Sequence, residues 1–76
     1  MREDLKQVFL DVLEVRSISD KDSVETINSW DSVRHLSLIM ALEERFGVAF
    51  EADEIPELIS VAAIRDALRR RSATAG

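Results

Sequence analysis

The chain has 76 residues, of which 46% are hydrophobic, and it carries a formal net charge of −5 and no cysteine. This length allows one small domain, and the hydrophobic content is enough for a folded core. The absence of cysteine excludes a disulfide framework, a thiolate nucleophile and cysteine-ligated zinc, while the net acidity disfavours nucleic acid as a partner.

The N-terminal segment, Met1 to Leu5, contains acids where a secretory signal needs a basic and then an apolar stretch. No apolar run in the sequence approaches the roughly 18 residues that a membrane span requires. We therefore expect a cytoplasmic protein with no membrane partner.

A first helix is predicted over about residues 3–15, because apolar residues recur there at helical spacing. Residues 16–31 have no helical period and are rich in Ser and Asp, so they predict a long loop. A loop of this length in a compact domain is usually functional or packed on the domain. Ile27 and Trp30 are expected to attach it to the core.

A second helix is predicted from Ser32 to Phe46, with apolar residues over more than half of its circumference. Such a helix lies between neighbours rather than on one of them, and Gly47 supplies its C-terminal stop. Residues 48–50 then form a short apolar connector.

The last third of the chain predicts a short helical turn near Pro56 and a final helix that Ser60 can cap. Together the elements predict an all-α fold, an antiparallel four-helix bundle with three long helices and one short helix. The domain is expected to occupy residues 1–71, with a disordered tail over residues 72–76.

The charge is uneven, since residues 60–76 carry four bases and one acid although the whole chain is acidic. The four bases are arginines, at positions 65, 69, 70 and 71. They are interpreted as a helix C-terminus that complements its dipole, rather than as a nucleic-acid patch.

A calcium-binding loop is suggested by the spacing of three aspartates, but the motif is incomplete. Asp20, Asp22 and Asp31 have the spacing of the first, third and twelfth positions of a calcium loop, but Glu25 stands where that loop needs glycine. No metal site is therefore predicted.

Asp31, Ser32 and His35 have the residue types of a hydrolytic triad, but a triad also needs an oxyanion hole and a walled pocket. A domain of this size offers little room for such a pocket, so His35 is interpreted as a solvated helix residue. No catalytic residue is predicted.

Asp31 and Ser32 both suit a helix N-cap, and they place a hydroxyl at the start of the second helix. The unpaired N–H groups and partial positive charge of a helix N-terminus favour a phosphate ester by roughly 0.3–1 kcal/mol when exposed. The residues thus suit a phosphodiester carried on Ser32 better than catalysis.

A set of residues around and after the second helix forms a recognisable pattern. It begins with the tripeptide Asp31-Ser32-Val33 and Leu36. It continues with Leu-Ile-Met-Ala-Leu-Glu-Glu-Arg-Phe-Gly over residues 38–47, and then with Ile55 and the start of the last helix. With the length, the acidity and the long loop, these residues resemble the acyl carrier protein family over roughly residues 3–70. The resemblance implies a single carrier domain that is not an enzyme and is usually a monomer.

The resemblance also implies a covalent cofactor, 4′-phosphopantetheine from coenzyme A, which a phosphopantetheinyl transferase would attach to Ser32 with Mg²⁺. Asp31 matches the neighbouring acid that the transferase and its metal ion read. The thiol of the arm would hold an acyl or aminoacyl group as a thioester. A ligase or transferase would load it, and synthases of fatty-acid, polyketide, non-ribosomal peptide or related pathways would consume it.

The second helix would be the recognition helix of such a carrier. The residues expected to contact partners are Val33, Arg34, Met40, Glu43 and Glu44, with Asp53 and Glu54 as further acidic contacts. The residues that could line an acyl cavity, or simply fill the core, are Leu36, Ile39, Leu42, Phe46, Ile55, Val61 and Ile64.

Two positions depart from housekeeping fatty-acid carriers, in which the residues at Arg34 and Ser37 are usually acidic. A tryptophan directly before the Asp-Ser pair, here Trp30, resembles the pattern of accessory carriers. The resemblance therefore implies a specialised stand-alone member. Other interpretations stay open: a helical adaptor in which Ser32 is only an N-cap, and, formally, a small hydrolase. The cargo is not specified by the sequence.

Overall fold

The N-terminal helix, α1, spans Glu3–Leu13 in this computed structural model, which describes residues 2–75 and their side chains through residue 71. It ends two residues earlier than the apolar pattern suggests. Glu14 follows it in the left-handed region, with φ 55°, and donates its N–H to the carbonyl of Leu10. Of the apolar face that the sequence predicts, the helix buries Leu5, Val8, Phe9 and Leu13, while Val12 is only partly buried.

The long loop, residues 14–31, is packed on the domain as expected. Trp30 is 3% exposed, and Ile27 packs against the core with a partly buried side chain. The loop also makes backbone hydrogen bonds around the start of the last helix, from the N–H of Val24 to Ile59 O at 3.0 Å and from the N–H of Val61 to Asp22 O at 3.0 Å. These contacts hold the loop along its length, so Ser32 follows an anchored segment.

The second helix, α2, spans Ser32–Phe46 and ends at Gly47, whose φ of 64° lies in the left-handed region that glycine adopts freely. A connector leads to a 3₁₀ helix over Ile55–Glu57, at the position of the predicted short turn. The last helix, α3, spans Val61–Ala75, and the hydroxyl of Ser60 accepts the N–H of Ala63 at its start.

Among residues 2–75 the structure therefore contains three α-helices, a 3₁₀ helix and no strand, which confirms an all-helical fold. Its radius of gyration, 11.5 Å, is close to the ~11.4 Å expected for a compact chain of this length. The core draws on α1, the loop, α2, the segment between α2 and α3, and α3. Its members are Leu5, Val8, Phe9, Leu13, Ile18, Trp30, Leu38, Ile39, Leu42, Phe50, Leu58, Val61, Ile64, Ala67 and Leu68.

The disordered tail expected over residues 72–76 stays a prediction, because these residues lie wholly or in part outside the described residues. The backbone of α3 continues as a helix to Ala75. The side chains of residues 72–75 and the whole of Gly76 lie outside the described part of the chain, as does Met1.

Arg71 ties α3 to the connector that follows α2. Its Nε donates to the carbonyl of Ala49 at 3.1 Å, its guanidinium lies 4.5 Å from the ring centroid of Phe50, and it pairs with Glu54. Its Nη1 also donates to the carbonyl of Ala67, four residues earlier in α3, at 3.1 Å. Ala67 lies in the middle of α3, whose last turn holds no basic residue, so these contacts do not show the predicted role of complementing a helix C-terminus.

Arg71→Met is expected to lower the free energy of unfolding by about 1–2 kcal/mol, because it removes charged hydrogen bonds from a half-buried position. Urea denaturation followed by circular dichroism measures this change. Arg69→Gln is the matched control, since the Arg69 side chain is 74% exposed. Equal midpoints for the two variants would contradict the anchoring role of Arg71.

Candidate functional site

Ser32 is the first residue of α2, and Asp31 immediately before it is the N-cap. The Asp31 Oδ1 accepts the backbone N–H of Arg34 at 2.9 Å, which is the hydrogen bond of an N-cap side chain. Ser32 is exposed, and its hydroxyl makes no hydrogen bond within the described residues. The capping role therefore falls on Asp31 alone, and the interpretation of Ser32 as the N-cap is wrong.

The start of α2 keeps unpaired amide groups beside this hydroxyl. The N–H of His35 is bonded to Asp31 O at 2.8 Å, and that of Arg34 to the Asp31 side chain. The amides of Ser32 and Val33 have no intrahelical partner, because the first N–H groups of a helix lack one. A group attached to Ser32 would thus lie at the positive end of a 15-residue helix.

The division of roles between the two residues gives a stability test. Asp31→Ala is expected to lower the free energy of unfolding by about 1 kcal/mol through loss of the cap. Ser32→Ala is expected to change it by less than about 0.5 kcal/mol, as is usual for an exposed side chain without partners. Thermal denaturation of both variants measures the difference. A larger loss for Ser32→Ala than for Asp31→Ala would show that Ser32 is the N-cap.

His35 is held between the loop and the 3₁₀ helix. Trp30 Nε1 donates to His35 Nδ1 at 3.0 Å, and His35 Nε2 lies 2.8 Å from the carbonyl oxygen of Ile55. The expectation that His35 is a solvated residue is wrong, since it is half-buried with both ring nitrogens engaged. The triad residues are therefore not assembled, because His35 is bonded to groups other than the Ser32 hydroxyl.

Three of the residues expected to contact partners are bonded within the molecule: Arg34, Glu43 and Glu54, of which Glu54 pairs with Arg71. Arg34 Nη1 donates to the carbonyl of Val12 at 3.0 Å and pairs with Glu14, so its charge lies at the C-terminal end of α1. Glu43 Oε2 accepts the N–H of Phe50 at 2.9 Å. These charged side chains therefore make bonds within the fold, and no sequence pattern predicts those bonds.

The apolar residues Val33, Leu36 and Met40 form an exposed row, here called the α2 stripe. Their side chains are 73%, 57% and 67% exposed, respectively. At 3.6 residues per turn they lie within an arc of about 60° of the helix surface. Leu36 was expected to line a cavity between helices, and that expectation is wrong because it faces solvent.

The other cavity candidates separate into two groups. Ile39, Leu42, Val61 and Ile64 are at most 2% exposed and belong to the packed core, while Phe46 and Ile55 are partly buried. A cavity of about 300 Å³ on the surface includes Phe46 in its lining but none of the other candidates. The four buried candidates are thus packed in the core and do not line this cavity.

The remaining acidic residues do not gather into a metal site. Asp22 is used by the loop itself, since its Oδ2 accepts the N–H of Ser19 and its Oδ1 accepts the hydroxyl of Thr26, both at 2.9 Å. Over residues 2–75, no group of three His, Asp or Glu side chains is placed to hold a metal ion. Within the same range, no helix has the length and apolar character needed to cross a membrane.

Comparison with known proteins finds no family model that matches the chain and no curated protein that matches it. What the protein does is therefore inferred from its own residues.

Proposed function

We propose that the protein carries acyl or aminoacyl groups as thioesters on a 4′-phosphopantetheine arm attached to Ser32. It delivers them to partner enzymes in fatty-acid, polyketide or related secondary-metabolite biosynthesis. The observation that carries this proposal is the exposed Ser32 hydroxyl, which begins α2 without taking part in its cap. On this proposal, the three α-helices and the 3₁₀ helix correspond to the four-helix bundle of the carrier family.

The residues around Ser32 suit a phosphodiester. The unpaired amides of Ser32 and Val33 and the helix dipole would stabilise its negative charge by roughly 0.3–1 kcal/mol. Asp31 is exposed and uses only one carboxylate oxygen for the cap, which leaves the other for the Mg²⁺ of a transferase. The arm would supply the thiol that this cysteine-free chain lacks.

In the attachment step, Ser32 Oγ would form a bond to the phosphorus that carries the pantetheine arm of coenzyme A. The bond from this phosphorus to the nucleotide part would break, and the hydroxyl proton would leave to a base of the transferase. The protein contributes the nucleophile and its position, while the transferase performs the catalysis.

Intact mass before and after incubation with coenzyme A, Mg²⁺ and a broad-specificity phosphopantetheinyl transferase tests the proposal. The wild-type protein is expected to gain one arm, and Ser32→Ala none. Ser37→Ala is the matched control, because Ser37 is another exposed serine of α2 and its loss should leave the gain intact. No gain in a folded wild-type protein would overturn the carrier proposal.

A specialised pathway is the finer part of the proposal, and it rests on the charges of α2. Ser37 is neutral and Arg34 is bonded to α1, so neither supplies the negative charge that housekeeping carriers usually present there. We expect the housekeeping malonyl transferase to load the arm-bearing protein at least tenfold more slowly than its own carrier, since lost charge complementarity slows encounter. Equal loading rates in a radiolabel assay would contradict this assignment.

A helical adaptor is the second candidate, and the exposed α2 stripe favours it. An adaptor would bind its partner through this apolar row without modification of Ser32. Under that alternative, Ser32→Ala would leave partner binding unchanged, whereas a carrier that lacks its arm delivers nothing.

A further inference from the structure

The cavity of about 300 Å³ lies at the far end of α2 from Ser32. It adjoins Phe46, which is 14 residues after Ser32 and thus about 21 Å away along the helix axis at 1.5 Å per residue. Apolar side chains from α1, from the end of α2, from the connector after it and from α3 line it: Leu5, Phe46, Val48 and Leu68. The volume is at the lower end of the roughly 300–1,000 Å³ typical of small-molecule pockets.

Three arginines, at positions 2, 65 and 69, complete the lining of this apolar space. Two of them, Arg65 and Arg69, belong to the C-terminal segment that is basic in an otherwise acidic chain. The remaining one, Arg2, places its guanidinium 5.8 Å from the ring centroid of Phe46. An apolar lining with several guanidinium groups suits a molecule that is apolar at one end and anionic at the other.

The existing ion pairs determine which arginines can receive an anion. Arg65 is the most engaged, at 3.2 Å from both Asp20 and Asp66. Arg2 donates to Asp4 at 2.9 Å, and this bond uses one of the five N–H donors of its guanidinium. The nearest carboxylate oxygen to Arg69 is that of Asp66 at 3.9 Å, and the side chain is 74% exposed.

We infer that this cavity is a binding site for a small carboxylate with a short apolar body. The apolar part lies on the Phe46 and Leu68 side of the cavity, and the carboxylate bonds to Arg2 and Arg69. Because the site is remote from Ser32 and made of other residues, this binding is independent of the proposed attachment of an arm.

A titration with octanoate below its micelle concentration, followed by ¹H–¹⁵N correlation spectra of the full chain, tests this inference. Saturable shifts are expected at the amides of Leu5, Val48 and Leu68, with the same Kd in Ser32→Ala. Octanol, which has the same tail without the charge, should bind at least fivefold more weakly.

Two charge-matched variants examine the role of the arginines. Arg69→Gln is expected to weaken octanoate binding at least fivefold, whereas Arg70→Gln, which removes the same charge from an exposed residue outside the lining, should change Kd less than twofold. Val48→Trp, which fills the cavity, should abolish the shifts while the helical spectrum stays. Equal effects of the two arginine variants, equal binding of octanol, or shifts centred on Ser32 would each overturn the inference.

Discussion

Trp30→Ala is expected to lower the free energy of unfolding by about 3–5 kcal/mol. The Trp30 side chain is 3% exposed, and its ring centroid lies 5.9 Å from that of Phe9. Its indole N–H donates a hydrogen bond to His35. The substitution removes a large core side chain and also leaves His35 without one of its two partners. Since small domains have a total stability of about 5–15 kcal/mol, this loss is a large share of the whole.

Urea denaturation followed by circular dichroism measures the effect, and it reports directly on the anchoring of the loop. Trp30→Phe, which keeps most of the volume but not the hydrogen bond, should lie between the wild type and Trp30→Ala. Asn28→Ala, at an exposed position of the same loop, should leave the midpoint unchanged. A wild-type midpoint for Trp30→Ala would show that the loop is not held by this residue.

Met40→Asp is expected to lower the kcat/KM of phosphopantetheinyl transfer to Ser32 at least tenfold, if the α2 stripe is where the transferase docks. Met40 is 67% exposed, so the change should leave the fold intact while placing a charge in an apolar contact. Ala49→Asp is the matched control, since it introduces the same charge at an exposed position outside α2. Equal rates for the two variants would place docking elsewhere.

The salt dependence of the same reaction should be shallow. An apolar row is insensitive to ionic screening, whereas acidic contacts weaken as salt shortens the Debye length. Glu43, which the sequence suggested as an acidic contact, already accepts the N–H of Phe50. A steep fall in the rate between low and physiological salt would instead assign docking to Glu44 and the other exposed acids.

Local patterns in the sequence predict the helices well, because each depends on neighbours a few residues apart. The apolar spacing of α1, the stop at Gly47 and the short turn near Pro56 are of this kind, and the structure confirms them. Trp30 as an anchor follows from its size and from its position in a polar loop. The start of α2 is also predicted, although Asp31 and Ser32 are equally suitable caps by residue type.

The contacts that the sequence does not predict join residues far apart or in different elements. Arg34 reaches a carbonyl 22 residues earlier, at Val12, and no spacing rule suggests this pairing. Leu36 belongs to an apolar surface that covers more than half of α2, and the pattern cannot show which edge of it the neighbouring elements leave uncovered. The cavity has no sequence signal, because its lining combines three residues of α3 with single residues of α1, of α2 and of the segments beside them.

The bonds of His35 fix the position of a single proton. An indole N–H can only donate, so His35 Nδ1 must be the bare nitrogen, and the ring hydrogen must be on Nε2, where it is donated to Ile55 O. The ring is therefore the Nε2–H tautomer, and its two hydrogen bonds link the loop before Ser32 to the 3₁₀ helix. One imidazole thus couples the loop before α2 to the 3₁₀ helix after it, so exchange of its Nε2 hydrogen with deuterium would report on the bond to the 3₁₀ helix.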